Sequence, residues 1–363
     1  MKDTYVADWQ IIKNRFEKWW NREQMDRPLM RIIAAGRSGR TTELPEPKEP
    51  ENLYLDVDYI VTQCRNFCST HFFLQDAYPS VSLNLGPGAM ALYLGCEPGF
   101  TRDTVWFPEF MTDCDQFESI RYFEENRWWK THREMLKKAI VLADGDFYVD
   151  IPDIVENLDI LSAMRGPQEL CFDILDKPDC VRRGVEKIDE LYFRYYDRCY
   201  DIVKDSDNSS AYTAFLILGK GRTAKIQCDF CSLISPDMFR EFVQPSLRKQ
   251  CRQLDHSIYH LDGPDAIKHL DALMEIEELD ALQWTCGAGQ PDGGHEKWYP
   301  IYDKVREAEK SLWISFGDGG MDDWADSARR LVRRYGKSCM YFLFPVFPDV
   351  ESAQKMAALF DDM

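Results

Sequence analysis

Strand-like and helix-like segments alternate along the second half of this chain, with only short links between them. Apolar runs that predict strands lie at 225–230, 257–262, 280–285, 312–316 and 340–345. Segments that predict helices follow them, from 235 onward and at 264–278, 298–310, 321–335 and 349–362. This alternation is typical of parallel βα units, in which each helix returns the chain to the same edge of the sheet.

The number of strands decides between the two common parallel architectures. Segments 29–35, 147–150 and 212–218 also predict strands, and about eight strands in 363 residues fit a barrel. No Gly-x-Gly-x-x-Gly motif follows the first strand, which removes the usual reason to expect an open, dinucleotide-binding sheet. The sequence therefore predicts an α/β protein folded as a (β/α)8 TIM barrel.

An aromatic segment precedes the first predicted strand. Between residues 4 and 24, aromatic and aliphatic side chains recur at near-helical spacing, which predicts an amphipathic helix. We therefore expect one barrel domain over residues 1–363, with residues 1–27 as a helical extension. The helix should cover the N-terminal face of the barrel or pack on its side.

Charge and hydropathy narrow the range of partners and locations. A net charge of −18 disfavours nucleic acid and anionic membrane surfaces as partners. No apolar run approaches the roughly 18 residues of a membrane span, and no hydrophobic signal region follows Met1. These features predict a cytoplasmic protein, whose twelve cysteines are reduced thiols. The pair Cys228 and Cys231 has the spacing of zinc ligands but lacks a second pair, so it predicts thiols rather than zinc.

The segment 257–262 carries the strongest functional signal. Its apolar residues are followed at once by a Gly-Pro turn, which predicts a short buried strand. His260 and Asp262 are two residues apart, so both side chains point to the same side of that strand, at its C-terminal end. Parallel barrels place their chemistry at this end. The pair could bind a metal or move a proton, and the plain alternative is a core histidine hydrogen-bonded to a neighbour.

Other chemically active side chains fall at or near predicted strand ends. They are Asp76, Asp150, Asp229, His260, Asp262, Trp284, Cys286 and either Phe344 or Phe347. Each aspartate could instead cap a helix, so the hypothesis depends on the group rather than on any single member. We expect at least three of the four carboxylates to share one cavity with His260, where crowding raises one carboxylate pKa and raises that of His260. Trp106 and Trp284 would form an apolar or cation-stacking wall.

Several motifs resemble those of the uroporphyrinogen decarboxylase superfamily. Asp26-Arg-Pro28 and the following Ala35-Gly-Arg37 are similar to its N-terminal signature, and Phe73-Leu-Gln-Asp76 is similar to the segment that carries the catalytic aspartate of the decarboxylases. His260-Leu-Asp-Gly263 resembles the strand that begins the zinc motif of the cobalamin-linked methyltransferases in this superfamily. The resemblance spans roughly residues 25–360 and implies a (β/α)8 barrel.

The resemblance implies two sets of functional residues. In the methyltransferase branch, His260 would bind zinc, Asp262 occupies the second ligand position, and Cys286 or Cys339 is a candidate third ligand if the fold brings it near. The decarboxylase branch would use Asp76 as the acid and Arg37 to hold the substrate. Phe347 lies near the position where the methyltransferases have a cysteine ligand after the last strand and where the decarboxylases have a histidine.

We therefore expect a methyltransferase-like enzyme that acts on a small methylated or substituted compound, with zinc as candidate cofactor and a corrinoid protein as candidate partner. The predicted catalytic residues are Asp76, Asp229, His260 and Asp262. The predicted substrate-binding residues are Arg37, Trp106, Asp150, Trp284 and Phe347. The alternatives are a decarboxylase, a carboxylate-based hydrolase of glycoside-like bonds, and a barrel that only binds a ligand or a corrinoid protein.

Overall fold

The computed structural model describes residues 1–360 and contains thirteen β-strands in this range. They are β1 (Leu29–Ala35), β2 (His71–Gln75), β3 (Ser80–Val81), β4 (Gly99–Phe100), β5 (Val105–Trp106), β6 (Tyr148–Val149), β7 (Ser209–Tyr212), β8 (Ile217–Lys220), β9 (Thr223–Gln227), β10 (His256–Asp262), β11 (Ala281–Thr285), β12 (Ser311–Ser315) and β13 (Met340–Leu343).

Helices lie between most of these strands. They are α1 (Trp9–Trp20), α2 (Asn52–Leu55), α3 (Val57–Thr70), α4 (Ala89–Tyr93), α5 (Arg127–Ala143), α6 (Asn157–Arg165), α7 (Pro167–Asp176), α8 (Pro178–Val203), α9 (Pro236–Phe242), α10 (Gln244–Cys251), α11 (Leu270–Met274), α12 (Tyr299–Glu307), α13 (Met321–Tyr335) and α14 (Val350–Ala357). Short 3-10 helices occupy Cys114–Ser119, Asp229–Leu233, Pro264–His269, Glu296–Trp298 and Ala358–Phe360. In the described part of the chain, none of the helices combines the length and the apolar character needed to cross a bilayer.

A seven-stranded sheet forms the centre of the molecule, in the order β2-β1-β13-β12-β11-β10-β9. Every neighbouring pair is parallel except β1 and β2, which are antiparallel. The pairing of β1 with β13 places the first strand beside the last. The short strands β3 and β6 form a separate parallel pair, and β7 and β8 form an antiparallel hairpin. The prediction of an α/β protein built on parallel βα units is confirmed.

The inner strands of the central sheet are buried, whereas its edge strand β2 is partly exposed. Strands β11, β12 and β13 expose almost none of their residues. Helix α13 shows the matching pattern: its apolar residues Ala325, Ala328, Leu331 and Val332 are buried, whereas its charged residues face solvent. Such burial on both faces is typical of parallel sheets.

Helix α1 lies across the N-terminal ends of the sheet strands. The indole nitrogen of Trp19 donates to the carbonyl of Cys339 at 3.3 Å, immediately before β13, and the hydroxyl of Ser311, where β12 begins, donates to the carbonyl of Trp19 at 2.9 Å. Trp20 stacks on His256 at the start of β10, with ring centroids 5.1 Å apart. These contacts agree with the expectation that the aromatic helix covers the N-terminal face.

Two segments differ from the sequence prediction. The segment 212–218, predicted as one strand, contains the turn between β7 and β8, because Phe215 and Leu216 adopt φ angles of 64° and 52° that reverse the chain. Bulky residues rarely take this left-handed conformation, so no turn is predicted from their types. The last predicted helix, 349–362, is observed as α14 and a 3-10 turn that ends at Phe360. Its end lies outside the described residues.

Candidate functional site

Three predicted site residues meet at the C-terminal ends of β9 and β10. Asp229, His260 and Asp262 each offer one ligand atom, and these atoms all lie within 4.8 Å of one another. The strand register explains the meeting: Gln227 at the end of β9 pairs with His260, so Asp229, two residues further, lies beside Asp262. We call these three residues the triad.

A glutamine on the neighbouring strand fixes the orientation of His260. Gln283, which pairs with His260 across β10 and β11, places its Oε1 2.5 Å from Nδ1 of the imidazole. The amide nitrogen of Gln283 in turn donates to the hydroxyl of Thr285 at 2.9 Å. With Oε1 of Gln283 accepting, Nδ1 carries the proton and Nε2 keeps its lone pair. This is the tautomer that binds a metal or accepts a proton through Nε2.

The triad perturbs the ionisation of its own members. Although the residue is exposed overall, desolvation of its carboxyl group, together with the nearby charges of Asp159 and Asp262, raises the pKa of Asp229 to about 7. This confirms the expectation that one carboxylate of the group has a raised pKa. Burial lowers the pKa of His260, although the contact with Gln283 and the charge of Asp262 act in the opposite direction. The expectation that His260 has a raised pKa is wrong because burial outweighs the attraction of the carboxylates.

A buried network of polar side chains on β9 contacts the triad. The sequence analysis did not identify it. The ammonium group of Lys225 is 2.7 Å from Asp153 and donates to Oε1 of Gln227. The amide nitrogen of Gln227 donates to Asp159 at 2.8 Å and to Asp229 at 3.1 Å. Lys225, Gln227 and Asp229 are spaced two residues apart, so strand alternation could have identified them as one polar side of β9.

Two open recesses adjoin the triad. The first has a volume of about 380 Å³, and its lining includes Asp229, Gln227, Asp159, Phe107 and Trp106. Trp106 is 64% exposed. The second has a volume of about 650 Å³, and its lining includes Asp262, Gln283, Cys286, Asp292 and Asp318. In the described part of the chain, neither lining includes a lysine, an arginine or a histidine. The surroundings of the triad are therefore acidic, with an aromatic wall on the Asp229 side.

Asp76 does not belong to this site. Strand β2 runs antiparallel to β1, so Asp76 follows β2 at the N-terminal end of the sheet, opposite the triad. Its buried carboxylate accepts from Arg15 at 2.8 Å, from Arg27 at 2.5 Å and from the backbone of Met30 at 2.8 Å. These contacts make Asp76 a structural ion-pair centre, and its prediction as a catalytic acid at the mouth is corrected.

Asp150 is also separate from the triad. It follows β6, is buried, and accepts a hydrogen bond from the hydroxyl of Ser80 at 3.2 Å. Burial raises the pKa of Asp150 to about 8. Of the four predicted aspartates, therefore, only Asp229 and Asp262 cluster with His260, and the expectation of three is wrong.

Arg37 and Trp284 have partners elsewhere. The guanidinium of Arg37 donates to the carbonyl of Thr4 at 3.0 Å and lies 5.0 Å from the ring centre of Tyr5, so it holds the N-terminal segment. Trp284 is next to Gln283 on β11 and therefore points to the other face of the sheet, where it packs on Trp298 at 5.1 Å. Neither residue belongs to the triad, although Trp284 is among the residues that line the second recess. Their substrate-binding roles stay predictions.

Phe347 and Cys286 do not belong to the triad. Phe347 is fully buried, with Trp324 and Phe344 as its aromatic neighbours at 6.1 Å, so it belongs to the core. Cys286 lines the second recess beside Asp262 but is not part of the ligand cluster. Burial raises the pKa of the Cys286 thiol to about 12. Asp229, rather than the predicted Cys286, is the residue whose potential ligand atom lies with those of His260 and Asp262.

The chain was compared with known proteins by family model and by sequence. Neither a scan of protein-family models nor a search of curated proteins finds a match. The functional interpretation therefore depends on the geometry of the triad and its two recesses.

Proposed function

We propose that this protein is an enzyme that acts on a small methylated or otherwise substituted compound, with a zinc ion held by Asp229, His260 and Asp262. The observation that carries the proposal is the convergence of three ligand atoms within 4.8 Å at the C-terminal ends of β9 and β10. In parallel α/β folds, this end of the strands is where ligands bind.

The residues of the triad fit a zinc ion. One imidazole nitrogen and two carboxylates are accepted zinc ligands, and together they balance the charge of a divalent cation. Gln283 holds the proton on Nδ1 of His260, which is the outer contact that most metal-binding histidines have. The raised pKa of Asp229 reflects burial and crowding among carboxylates, which a bound cation would relieve.

Other residues of the chain orient the triad and provide a surface for the substrate. Gln283 orients His260, and Gln227 holds Asp229 by a hydrogen bond of 3.1 Å. Trp106 and Phe107 offer an apolar surface beside Asp229, which suits a methyl group or an alkylated amine. A zinc ion bound at such a site supplies a Lewis acid that polarises a substrate atom or activates a thiol or water.

The proposed function goes with a specific fold. We infer a closed (β/α)8 barrel in which β3 and β6 complete the six parallel strands of the central sheet. Isolated parallel β-bridges between Ile151 and Tyr212 and between Ala34 and Phe347 support this closure.

We further infer that the protein belongs to the methyltransferase branch of the uroporphyrinogen decarboxylase superfamily, with a corrinoid protein as partner and the cytoplasm as location. The positions of His260 and Asp262 support this branch, whereas the ion pairs of Asp76 remove the main support for a decarboxylase.

A second candidate is a hydrolase of glycoside-like bonds. It is favoured by the raised pKa of Asp229, about 7, next to the carboxylate of Asp262, because such enzymes combine a carboxylic acid with a second carboxylate. Release of reducing sugar from a glycoside panel, lost in Asp229→Asn and Asp262→Asn, would favour this candidate over the first.

Metal analysis tests the first candidate. Protein purified without chelators should lose about one equivalent of zinc on His260→Ala, since the imidazole is the only nitrogen ligand of the triad. The control is His295→Ala, because His295 is exposed and lies outside the triad. Equal zinc content in His260→Ala and the parent would contradict the proposed site.

Methyl transfer is tested separately with methylcobalamin and an excess of a small thiol. The zinc-loaded parent should transfer the methyl group from cobalt to sulfur and so change the visible spectrum of the cobalamin, whereas His260→Ala should not. If the parent binds zinc at the triad but leaves methylcobalamin unchanged, the methyltransferase assignment is wrong and the metal site stands.

A further inference from the structure

A second group of potential metal ligands lies away from the triad, between the 3-10 helix Cys114–Ser119 and helix α8. It contains Cys114 at the start of the 3-10 helix, Asp115 next to it, and Cys180 in the first turn of α8. One ligand atom from each residue lies within 4.8 Å of the other two, and the thiol of Cys180 donates to Asp115 at 3.8 Å. We call these residues the cysteine cluster.

Local structure holds the two thiols in place. Asp113 caps the 3-10 helix by accepting from the backbone of Asp115 at 2.8 Å, and the side chain of Gln116 accepts from the backbone of Asp113 at 3.0 Å. The 3-10 helix also lies tightly on α8, because a Cβ atom added at Gly184 would come within 2.8 Å of the Phe117 ring. Bringing the two sulfur atoms together therefore costs little conformational entropy.

The electrostatics of the cluster suit thiolates with a cation between them. Cys180 lies at the N-terminal end of α8, a helix of 26 residues, where the helix dipole favours negative charge. The ammonium group of Lys177 is 3.9 Å from Asp115 and 3.0 Å from Asp113. A bound divalent cation would balance the two thiolates, while Lys177 balances Asp115.

We propose that Cys114, Cys180 and Asp115 bind one thiophilic divalent cation of the zinc class, which cross-links the 3-10 helix to α8. Two sulfur ligands and one carboxylate match the preferences of zinc, and solvent can supply a fourth ligand. The side chains of Cys114 and Cys180 are buried while Asp115 is exposed, so the cation has a path from solvent. The site is independent of the triad, which contains no sulfur.

Cadmium is the probe that separates the two sites, because a cadmium–thiolate bond gives an ultraviolet charge-transfer band and a cadmium–carboxylate bond does not. Metal-free protein, kept reduced with a phosphine, is titrated with cadmium. The parent should show a band that saturates at about one equivalent. Cys114→Ser and Cys180→Ser should each lose most of the band. Cys171→Ser and His260→Ala should keep it, because neither residue belongs to the cluster.

Two further measurements guard against a folding artefact. Asp115→Asn changes an exposed side chain, so it should fold normally and weaken cadmium binding severalfold. Zinc should raise the thermal midpoint of Cys171→Ser but give a clearly smaller rise in Cys114→Ser, measured against the zinc response of the parent. A band of equal height in Cys114→Ser, or no band in the reduced parent, would overturn the proposal.

Discussion

The side-chain oxygen of Gln283 lies 2.5 Å from Nδ1 of His260, and this contact joins β10 to β11 at the centre of the candidate site. It selects the imidazole tautomer whose Nε2 can bind a cation. Outer contacts of this kind usually contribute about 10- to 100-fold to metal affinity.

Replacing the glutamine tests whether this contact matters. Gln283→Leu should weaken zinc binding at the triad by about 10- to 100-fold, since the imidazole loses the acceptor that fixes its orientation. The measurement is competition for zinc with a chromophoric chelator. Gln253→Leu, a change at an exposed residue, serves as the control. An unchanged zinc affinity in Gln283→Leu would show that His260 is not oriented by this contact.

The charge of Asp262 should be visible in the titration of His260. In metal-free protein, the His260 pKa should lie below its ordinary value because of burial, and Asp262→Asn should lower it further, since the carboxylate favours the imidazolium. Nuclear magnetic resonance of the ring protons measures both values. Asp265→Asn, which changes an exposed neighbour outside the triad, should have less effect. A His260 pKa that stays equal or rises in Asp262→Asn would contradict the geometry of the triad.

We expect Asp76 to stabilise the fold and to have no catalytic role. Asp76→Asn leaves the partly buried guanidinium groups of Arg15 and Arg27 without their shared carboxylate, which should cost about 3–5 kcal/mol of unfolding free energy. Asp26→Asn removes the exposed partner of Arg15 and should cost less than about 1 kcal/mol. Urea denaturation compares the two variants. If Asp76→Asn unfolds like the parent but loses catalytic activity, the structural role is wrong.

Asp150 should make the stability depend on pH. Burial raises its folded-state pKa to about 8, so the folded chain binds more protons than the unfolded chain between about pH 4 and pH 8. The contribution of Asp150 is therefore full below pH 4 and is lost as the pH rises through 8. The loss should be roughly 5–6 kcal/mol, because the folded and unfolded pKa values of Asp150 differ by about 4 and each pKa unit corresponds to about 1.4 kcal/mol.

Asp150→Asn isolates this effect. Relative to the parent, the variant should gain stability as the pH increases from 5 to 9, because the amide carries no charge that burial would penalise. Asp326→Asn, at a highly exposed carboxylate, should parallel the parent at every pH. Parallel stability curves for Asp150→Asn and the parent would contradict the raised pKa.

Much of the fold follows from local sequence patterns. The alternation of apolar strands and amphipathic helices predicted the parallel sheet, and the same-side spacing of His260 and Asp262 predicted a pair at the C-terminal strand ends. Asp229 joins them because parallel neighbours bring their C-terminal ends to one edge. These inferences depend only on strand periodicity and strand direction, which short sequence windows contain.

The remaining features depend on long-range pairing or on rare backbone geometry. The direction of β2 is set by its pairing with β1, and that pairing alone moves Asp76 to the opposite end of the sheet. The hairpin at Phe215 has no glycine, proline or asparagine to indicate a turn. Trp284 lines the second recess, as its position at a strand end suggests, but its packing on Trp298 depends on a long-range contact that the sequence does not indicate. Gln283 itself was missed because glutamine has no chemistry of its own to indicate a site.

The central claim is tested most directly by anomalous X-ray diffraction at the zinc absorption edge, from crystals of protein purified without chelators. A zinc ion bound by the triad should give an anomalous peak about 2.0–2.2 Å from Nε2 of His260 and from a carboxylate oxygen of both Asp229 and Asp262. A fully refined site with an ordered triad and no anomalous peak, in crystals equilibrated with zinc, would contradict it.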